Sequence, residues 1–309
     1  MSRSARLLGT GFALVGGLAL TCVLGPPLLP RPPAPDPVHG ALLPPFTRVE
    51  VVHLDDGAVR IVRPGDTAPE PDAEDDSTRR VSRHLFLLGS DRYGRDLLLL
   101  LLRGGRLSLA IAGLGAAVSL FLGTLVGMLA ATAGRWGDAV LMRTVDALLA
   151  FPVLFLMILV AALVRPSPAL LAVVLGLTAW MGLARIVRGQ VLSLRERQWV
   201  LAGRAAGSRW HRIWTLHIAP HLVAPVSQDT ALRLGDLVIA EATLSFLGLG
   251  VPPTVPTWGS LIADGQRIMP SGWWLAVFPG VAIAALVIGF ALIGDGLSLK
   301  SRPDDVLLP

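Results

Sequence analysis

Five ionisable residues stand in or beside long apolar runs: Asp146, Asp229, Arg233, Asp236 and Glu241. A charge at membrane depth is costly, so such groups face the protein interior, a partner or water, and they mark a solute route or an ion pair. Asp229 and Arg233 are one helical turn apart and can pair directly. Asp236 falls close to the same helical face, an arrangement that fits a pathway wall or an interhelical lock. His84, Asp91 and Asp96 carry donor atoms suited to a metal. With Gly89, Gly94 and their charged neighbours they fit better as a hydrogen-bonded turn. The chain has no glycine-rich phosphate loop ending in Lys and Ser or Thr, so it is not expected to bind ATP. Ser245, between Leu244 and Phe246, lacks the glycines of a nucleophile elbow. No His pair stands at ligand spacing within an apolar run. No catalytic, metal-binding or cofactor-binding set is therefore expected.

The elements that hold these groups follow from composition. Of 309 residues, 53% are hydrophobic and 16% charged, against about 25% charged in soluble domains. This is the balance of a polytopic membrane protein. The net charge of +5 does not signal nucleic acid, because the basic residues sit between apolar spans, where they set orientation. The single cysteine, Cys22, lies inside an apolar run and permits no intrachain disulfide. Leu7 to Leu24 follows Arg3 and Arg6 and lacks a small-x-small cleavage site, so it reads as an uncleaved first helix.

Six spans are expected: Leu7–Leu24, Leu107–Ala131, Leu148–Val164, Ala169–Val187, Leu222–Leu247 and Trp274–Ile293. Pro152 should kink the third. The turn Ala133–Asp138, with Arg143 nearby, and the Arg-rich segment 188–221 should lie inside, while 26–106 and 248–273 lie outside and both termini are cytoplasmic. Within the outer segment, Val49, Val51, Leu54 and Val59, Ile61 flank Asp56-Gly57, which reads as a small β-hairpin. Its flanks, PPLLPRPPAPDP and PEPDAEDDSTRR, have linker composition. Leu97 to Leu102 is too short to span before Arg103 and reads as a surface helix. The expected division is 1–29 for the tail and first helix, 30–104 for the outer segment, 105–298 for the membrane domain and 299–309 for a cytoplasmic tail.

Segment 188–221 carries Arg188, Arg195, Arg197, Arg204, Arg209 and Arg212. It reads as helix, break, helix: Gly207 suits a left-handed helix end and Ser208 can cap the next helix. Trp210, Ile213, Trp214 and His217 then share one face, and Pro220 suits the first turn of the next helix. The stripe fits either a helix in the headgroup layer or a docking element for a soluble partner.

Three stretches resemble a known family. Ala202, Gly203, Gly207 and then Ile218-Ala219-Pro220 are similar in spacing to the EAA loop of bacterial ABC-importer permeases. Leu201 stands where that family has Glu, Gly203 where it has the second Ala, and Ala219 where it has Leu. Gly89-Ser90-Asp91, Gly94-Arg95-Asp96 and Arg106-Leu107-Ser108-Leu109 resemble the GTD-x-x-GRD…R-x-SL signature of the peptide/nickel branch. Glu241-Ala-Thr-Leu-Ser-Phe-Leu-Gly-Leu-Gly, Pro256-Thr257-Trp258-Gly259, Pro279-Gly280 and Gly294-Asp295-Gly296-Leu297 look like the C-terminal third of a dipeptide or oligopeptide permease subunit. The resemblance covers roughly residues 84–297.

It implies an all-α, six-helix permease of type I importer architecture, in the bacterial inner membrane, with a small outer insertion. It also implies a homologous permease partner, two ABC ATPase subunits that bind the ATP, and an extracytoplasmic solute-binding protein. In this reading Leu201, Ala202, Gly203, Gly207, Trp210, Ile213, Trp214, Ile218 and Pro220 form the ATPase-coupling loop, with Trp210, Ile213 and Trp214 as its apolar contact face. The substrates implied are di- or oligopeptides, or small solutes such as nickel chelates. Two other classes compete. A secondary transporter would be expected to show inverted repeats, which the sequence lacks, and a membrane enzyme would need a paired acid/base or metal set.

Overall fold

The computed structural model describes residues 3–30, 32–53, 59–62, 80–152, 155–156, 159, 167–252 and 254–301. Leu54 and the Asp56-Gly57 turn, the acidic linker, most of the expected third span and Arg302 lie outside the described residues. Four described helices are long and apolar enough to cross a membrane: α1 (Arg3–Leu28), α2 (Leu97–Thr132), α4 (Pro168–Arg195) and α9 (Trp274–Ser301). Between them run α3 (Gly134–Leu149), α5 (Gln198–Ala205), α6 (Trp210–Ile213), α7 (Ala219–Phe246) and α8 (Trp258–Arg267).

The α2–α4 pair is the centre of the bundle. Helices in lipid gain no hydrophobic drive from meeting one another, so they pack through small residues that let backbones approach. Gly123 lies against Leu183, and a Cβ at Gly127 would stand 2.6 Å from the Ala184 carbonyl. α7 and α9 complete the main core, in which Ile111, Leu175, Val238, Leu286 and Trp258 are buried.

Two expected boundaries differ. Leu97–Leu102 is not a separate surface helix; α2 starts at Leu97 and runs unbroken past 104/105. The Asp96 carboxylate caps it by accepting from the Leu98 N–H, and Arg103 does not interrupt it. Ala133–Asp138 is likewise not a turn: only Ala133 separates α2 from α3, Gly134 takes φ +74°, and the chain is helical again at once. One left-handed glycine suffices to redirect the chain.

The described residues are not purely helical. β1 (Thr47–His53) pairs antiparallel with β2 (Val59–Val62), placing Val51 opposite Ile61, and with β3 (Arg80–Phe86), giving the order β2-β1-β3. Val49, Val51, Ile61, Phe86 and Leu43 form its small core. The alternation of Val49 and Val51 announced the first pair. β3 alternates only weakly, as RVSRHLF, and is a strand the sequence does not announce; only its first residue, Arg80, falls in the expected linker. A lone two-stranded hairpin is marginally stable, and a third strand supplies what it lacks.

Two buried aspartates organise the loops beside the sheet. Asp36 accepts from the N–H groups of Val38, His39 and Ile61. Asp91 accepts from the N–H groups of Tyr93 and Arg95, and its other oxygen lies 2.7 Å from the Arg95 guanidinium. His84 Nε2 is 3.0 Å from Asp96 Oδ2. The stretch 84–96 is therefore the hydrogen-bonded turn expected, with Gly89 and Gly94 at φ +86° and +74°. Its carboxylates bond backbone N–H groups, the Arg95 guanidinium and the His84 ring.

Candidate functional site

Segment 188–221 is built onto the C-terminal ends of α2 and α4. Val200 of α5, together with Ile213, Ile218 and Leu222, fills a core with Ala131, Leu183, Val187 and Val191. α5 ends at a left-handed Gly207, φ +76°. The Ser208 N–H returns to the Gly203 carbonyl (3.1 Å) and the Gly207 N–H to that of Arg204 (2.9 Å). These are the two bonds of a Schellman motif, which satisfies carbonyls that a helix end leaves open. The next helix takes its first carbonyl from Arg209, which accepts from Ile213 N–H; Arg209, not Ser208, holds the capping position.

α6 passes into α7 through a π-helical turn, Trp214–Ile218, in which the Ala219 N–H reaches the Trp214 carbonyl. Pro220 accounts for it. Proline has no N–H for the carbonyl four residues back and its ring crowds that carbonyl, so the turn widens. The chain is thus continuous from the surface break at Gly207 into the long helix α7.

The expected contact face is split by the fold. Ile213 and Ile218 are buried in the chain's own core, so Ile213 does not project towards a partner. Trp214 lines an apolar groove of about 500 Å³ with Leu125, Met128 and Leu129. The ring of Trp199 stacks on His221, centroids 4.9 Å apart. What faces outward is the other side: Leu201 (49% exposed), Leu216, Ala202, Ala205, Ala206 and Gly207, with Arg204, Arg209 and Arg212 around them. The stripe was legible, but an apolar stripe marks whichever face is buried, here against α2 and α4.

The four polar residues of α7 separate into three environments. Arg233 pairs with Asp229 through Nε and Nη2, as the spacing predicted, and its Nη1 donates to the Ala179 carbonyl of α4 (2.8 Å). Gly182 leaves room for the guanidinium: a Cβ there would lie 2.6 Å from Nη2. This is an interhelical lock. Glu241 is fully buried and accepts from Ser245 Oγ (2.7 Å). Asp236 is exposed and has no ion pair among the described residues.

Sequence reasoning missed two groups. Asp138 of α3 pairs with both nitrogens of the Arg188 fork, and Asp146 pairs with Arg185 at 2.5 Å, joining α3 to α4. Acidic residues on one helix and arginines on the next were the available signal. The second group lies near Glu241. Trp258 is fully buried, its backbone N–H donates to Ser108 Oγ (3.3 Å) and its indole to the Leu101 carbonyl (2.9 Å). Thr257 and Ser260 form a capping box for α8. Gly259 packs so closely that a Cβ would sit 2.2 Å from the Ala242 carbonyl. Ser108, Glu241 and Trp258 come from sequence stretches far apart, and they meet in one buried node.

Comparison with known proteins now decides the class. Residues 123–300 match the model of the binding-protein-dependent transport system inner membrane component family. The chain belongs to that family. A Brucella suis protein provisionally named a peptide transport system permease is 43% identical over 216 residues, 69% of this chain and 71% of that one. The dipeptide transport system permease protein DppC of Alkalihalophilus pseudofirmus is 37% identical, with 70% of each chain covered. The oligopeptide transport system permease protein OppC of Haemophilus influenzae is 37% identical over 72% of this chain and 71% of its own. Among solved structures, a chain of the MetNI methionine ABC transporter, in an inward-facing conformation, aligns with a TM-score of 0.55 at 20% identity. That alignment covers 67% of this chain and 98% of that one, so the two share the type I importer permease fold. The family is a membrane transport component rather than an enzyme.

Proposed function

We propose that this chain is the permease subunit of an ATP-driven importer of di- or oligopeptides, forming half of the translocation pathway, with nickel chelates or similar small solutes as the second reading within the branch. A homologous permease supplies the other half, two ATPase subunits bind and hydrolyse ATP, and an extracytoplasmic binding protein delivers the substrate. Six spans, both termini inside, and an outer segment between the first two complete the arrangement. The third span then follows α3.

The observation that carries the coupling role is the outward side of 201–216. Small and apolar residues surround a Gly207 break, arginines ring them, and the segment continues through the π turn into α7. Force applied beyond the Gly207 break, at 210–216, reaches the long helix α7 through the π turn without crossing a loop. Leu201, in place of an acidic residue, makes the contact apolar at that point. The relatives' names support peptides as the substrate.

The test is ATP hydrolysis by the assembled transporter, stimulated by substrate-loaded binding protein. Leu201→Arg and Gly207→Val, once shown to insert and assemble, are expected to lower that stimulation while basal hydrolysis persists. Wild-type stimulation in both would leave 201–216 as a helix on the lipid surface.

A further inference from the structure

α7 is of spanning length but is not among the helices apolar enough for a bilayer. Its 28 residues extend about 42 Å at 1.5 Å each, more than a hydrocarbon core of about 30 Å. Its polar residues are not scattered. Leu232, Asp236, Ile239 and Thr243 recur at i, i+4, i+7 and i+11 and are all exposed, with Gln228 and Asp229 continuing the same side. The opposite side, Ala231, Gly235, Val238, Glu241, Ala242 and Ser245, is buried against the chain's own helices. Asp236 lies ten residues before Phe246, roughly 15 Å from that end at the helical rise. A carboxylate at that depth does not face lipid. Nor does it pair within its own chain among the described residues: the nearest arginine in sequence, Arg233, three residues away, is committed to Asp229 and the Ala179 carbonyl.

We propose that Asp236 stands on the water-filled wall of the translocation pathway, and that its carboxylate draws the positively charged end of the substrate, the ammonium group of a peptide, along α7. The proposal rests on the permease reading above. It separates Asp236 from Asp229, Arg233 and Glu241, which hold the helices together. An unpaired negative charge in a narrow aqueous passage concentrates cations and repels anions. With Asp229 neutralised by Arg233 on the same side, one carboxylate holds its ligand weakly, as a passage must. Leu232 and Ile239, one turn to either side, give smooth walls that do not discriminate between side chains.

The test uses the complete transporter in proteoliposomes. Cys22 is buried, so the unmodified chain is its own control for thiol labelling. Leu232→Cys and Thr243→Cys variants are treated with membrane-impermeant methanethiosulfonates, one cationic and one anionic. Both positions are expected to react, the cationic reagent faster, and adding Asp236→Asn is expected to lower the ratio of the two rates severalfold. With Asp236→Asn alone, uptake of a Lys-containing tripeptide should fall relative to a Glu-containing one. Positions unreactive until the protein is denatured, or a rate ratio unchanged by Asp236→Asn, would overturn the proposal. Peptide uptake by the wild-type transporter is measured in the same vesicles. Uptake with unreactive positions defeats Asp236 alone, whereas ATP-driven uptake of nickel chelates and not of peptides defeats the peptide reading and leaves the labelling result to stand.

Discussion

The two ends of α7 are built on opposite principles. At the Phe246 end, Glu241 and Ser245 are buried with Ser108, Thr257 and Trp258, and Gly259 brings the α8 backbone hard against α7. At the Ala219 end, the π turn at Pro220 leads into a surface where Leu201, Leu216 and several small residues are exposed. One end joins three helices into a hub. The other leaves an apolar, arginine-ringed face that none of the described residues covers. A helix held at one end and open at the other is suited to passing a displacement from its open end to its fixed one.

The comparison breaks most easily at the hub. Gly259→Val would force a side chain into the Ala242 backbone, and Trp258→Ala removes a fully buried indole, a change that costs about 3–5 kcal/mol in a core that cannot collapse. Both variants should be lost from the membrane or fail to assemble, read by detergent-extracted yield and thermal unfolding; wild-type yield would deny that the node is a hub. Ile213→Ala should cost about 2–5 kcal/mol, because Ile213 fills the core under segment 201–216. Wild-type melting of Ile213→Ala would mean instead that Ile213 faces a partner.

Gly207→Val is a smaller perturbation, since a left-handed residue with a side chain costs about 1–2 kcal/mol. It should leave the yield intact and lower coupled ATP hydrolysis. Trp214→Ala should matter less for coupling than Leu201→Arg, because Trp214 turns towards the groove beside α2; the ratio of coupled to basal hydrolysis in the two variants decides this.

The smallest effect belongs to the three-stranded sheet. Burial alone would push the Asp36 carboxyl up, but the His39, Ile61 and Val38 N–H groups and the His39 imidazole outweigh it and hold it below the usual carboxylate range. A lowered carboxyl stabilises the fold above its unfolded value of about 3.9, and that stability is lost as pH falls through the folded value. Hydrogen exchange at the Ile61 amide should therefore accelerate only in strong acid, and Asp36→Asn should remove that dependence.

Legibility in the sequence followed the strength of local rules. Gly207's left-handed φ, Pro220's place in the first turn, the Asp229–Arg233 pair and the antiparallel pairing of the strands that carry Val51 and Ile61 rest on short-range chemistry, and all are in the structure. The failures are of a different kind. The orientation of the Ile213 stripe depends on which surface α2 and α4 leave open, and periodicity reports a face without saying what it meets. The Ser108–Glu241–Trp258 node needs residues 150 apart in sequence to converge. The unbroken start of α2 was misread because Arg103 looked like an interruption, whereas a long side chain at the end of a span can reach the interface and leave the helix intact.

The central claim is that the exposed side of 201–216, not the Ile213 side, meets the ATPase. Its most direct measurement is site-directed photo-crosslinking in the assembled transporter, with a thiol-reactive photoprobe on Leu201→Cys or Ala205→Cys and, as the contrast, on Ala139→Cys of α3. The first two are expected to yield adducts of this chain with an ATPase subunit, and the third none. Adducts with lipid alone from Leu201→Cys and Ala205→Cys, in a complex that still contains its ATPases, would contradict the account.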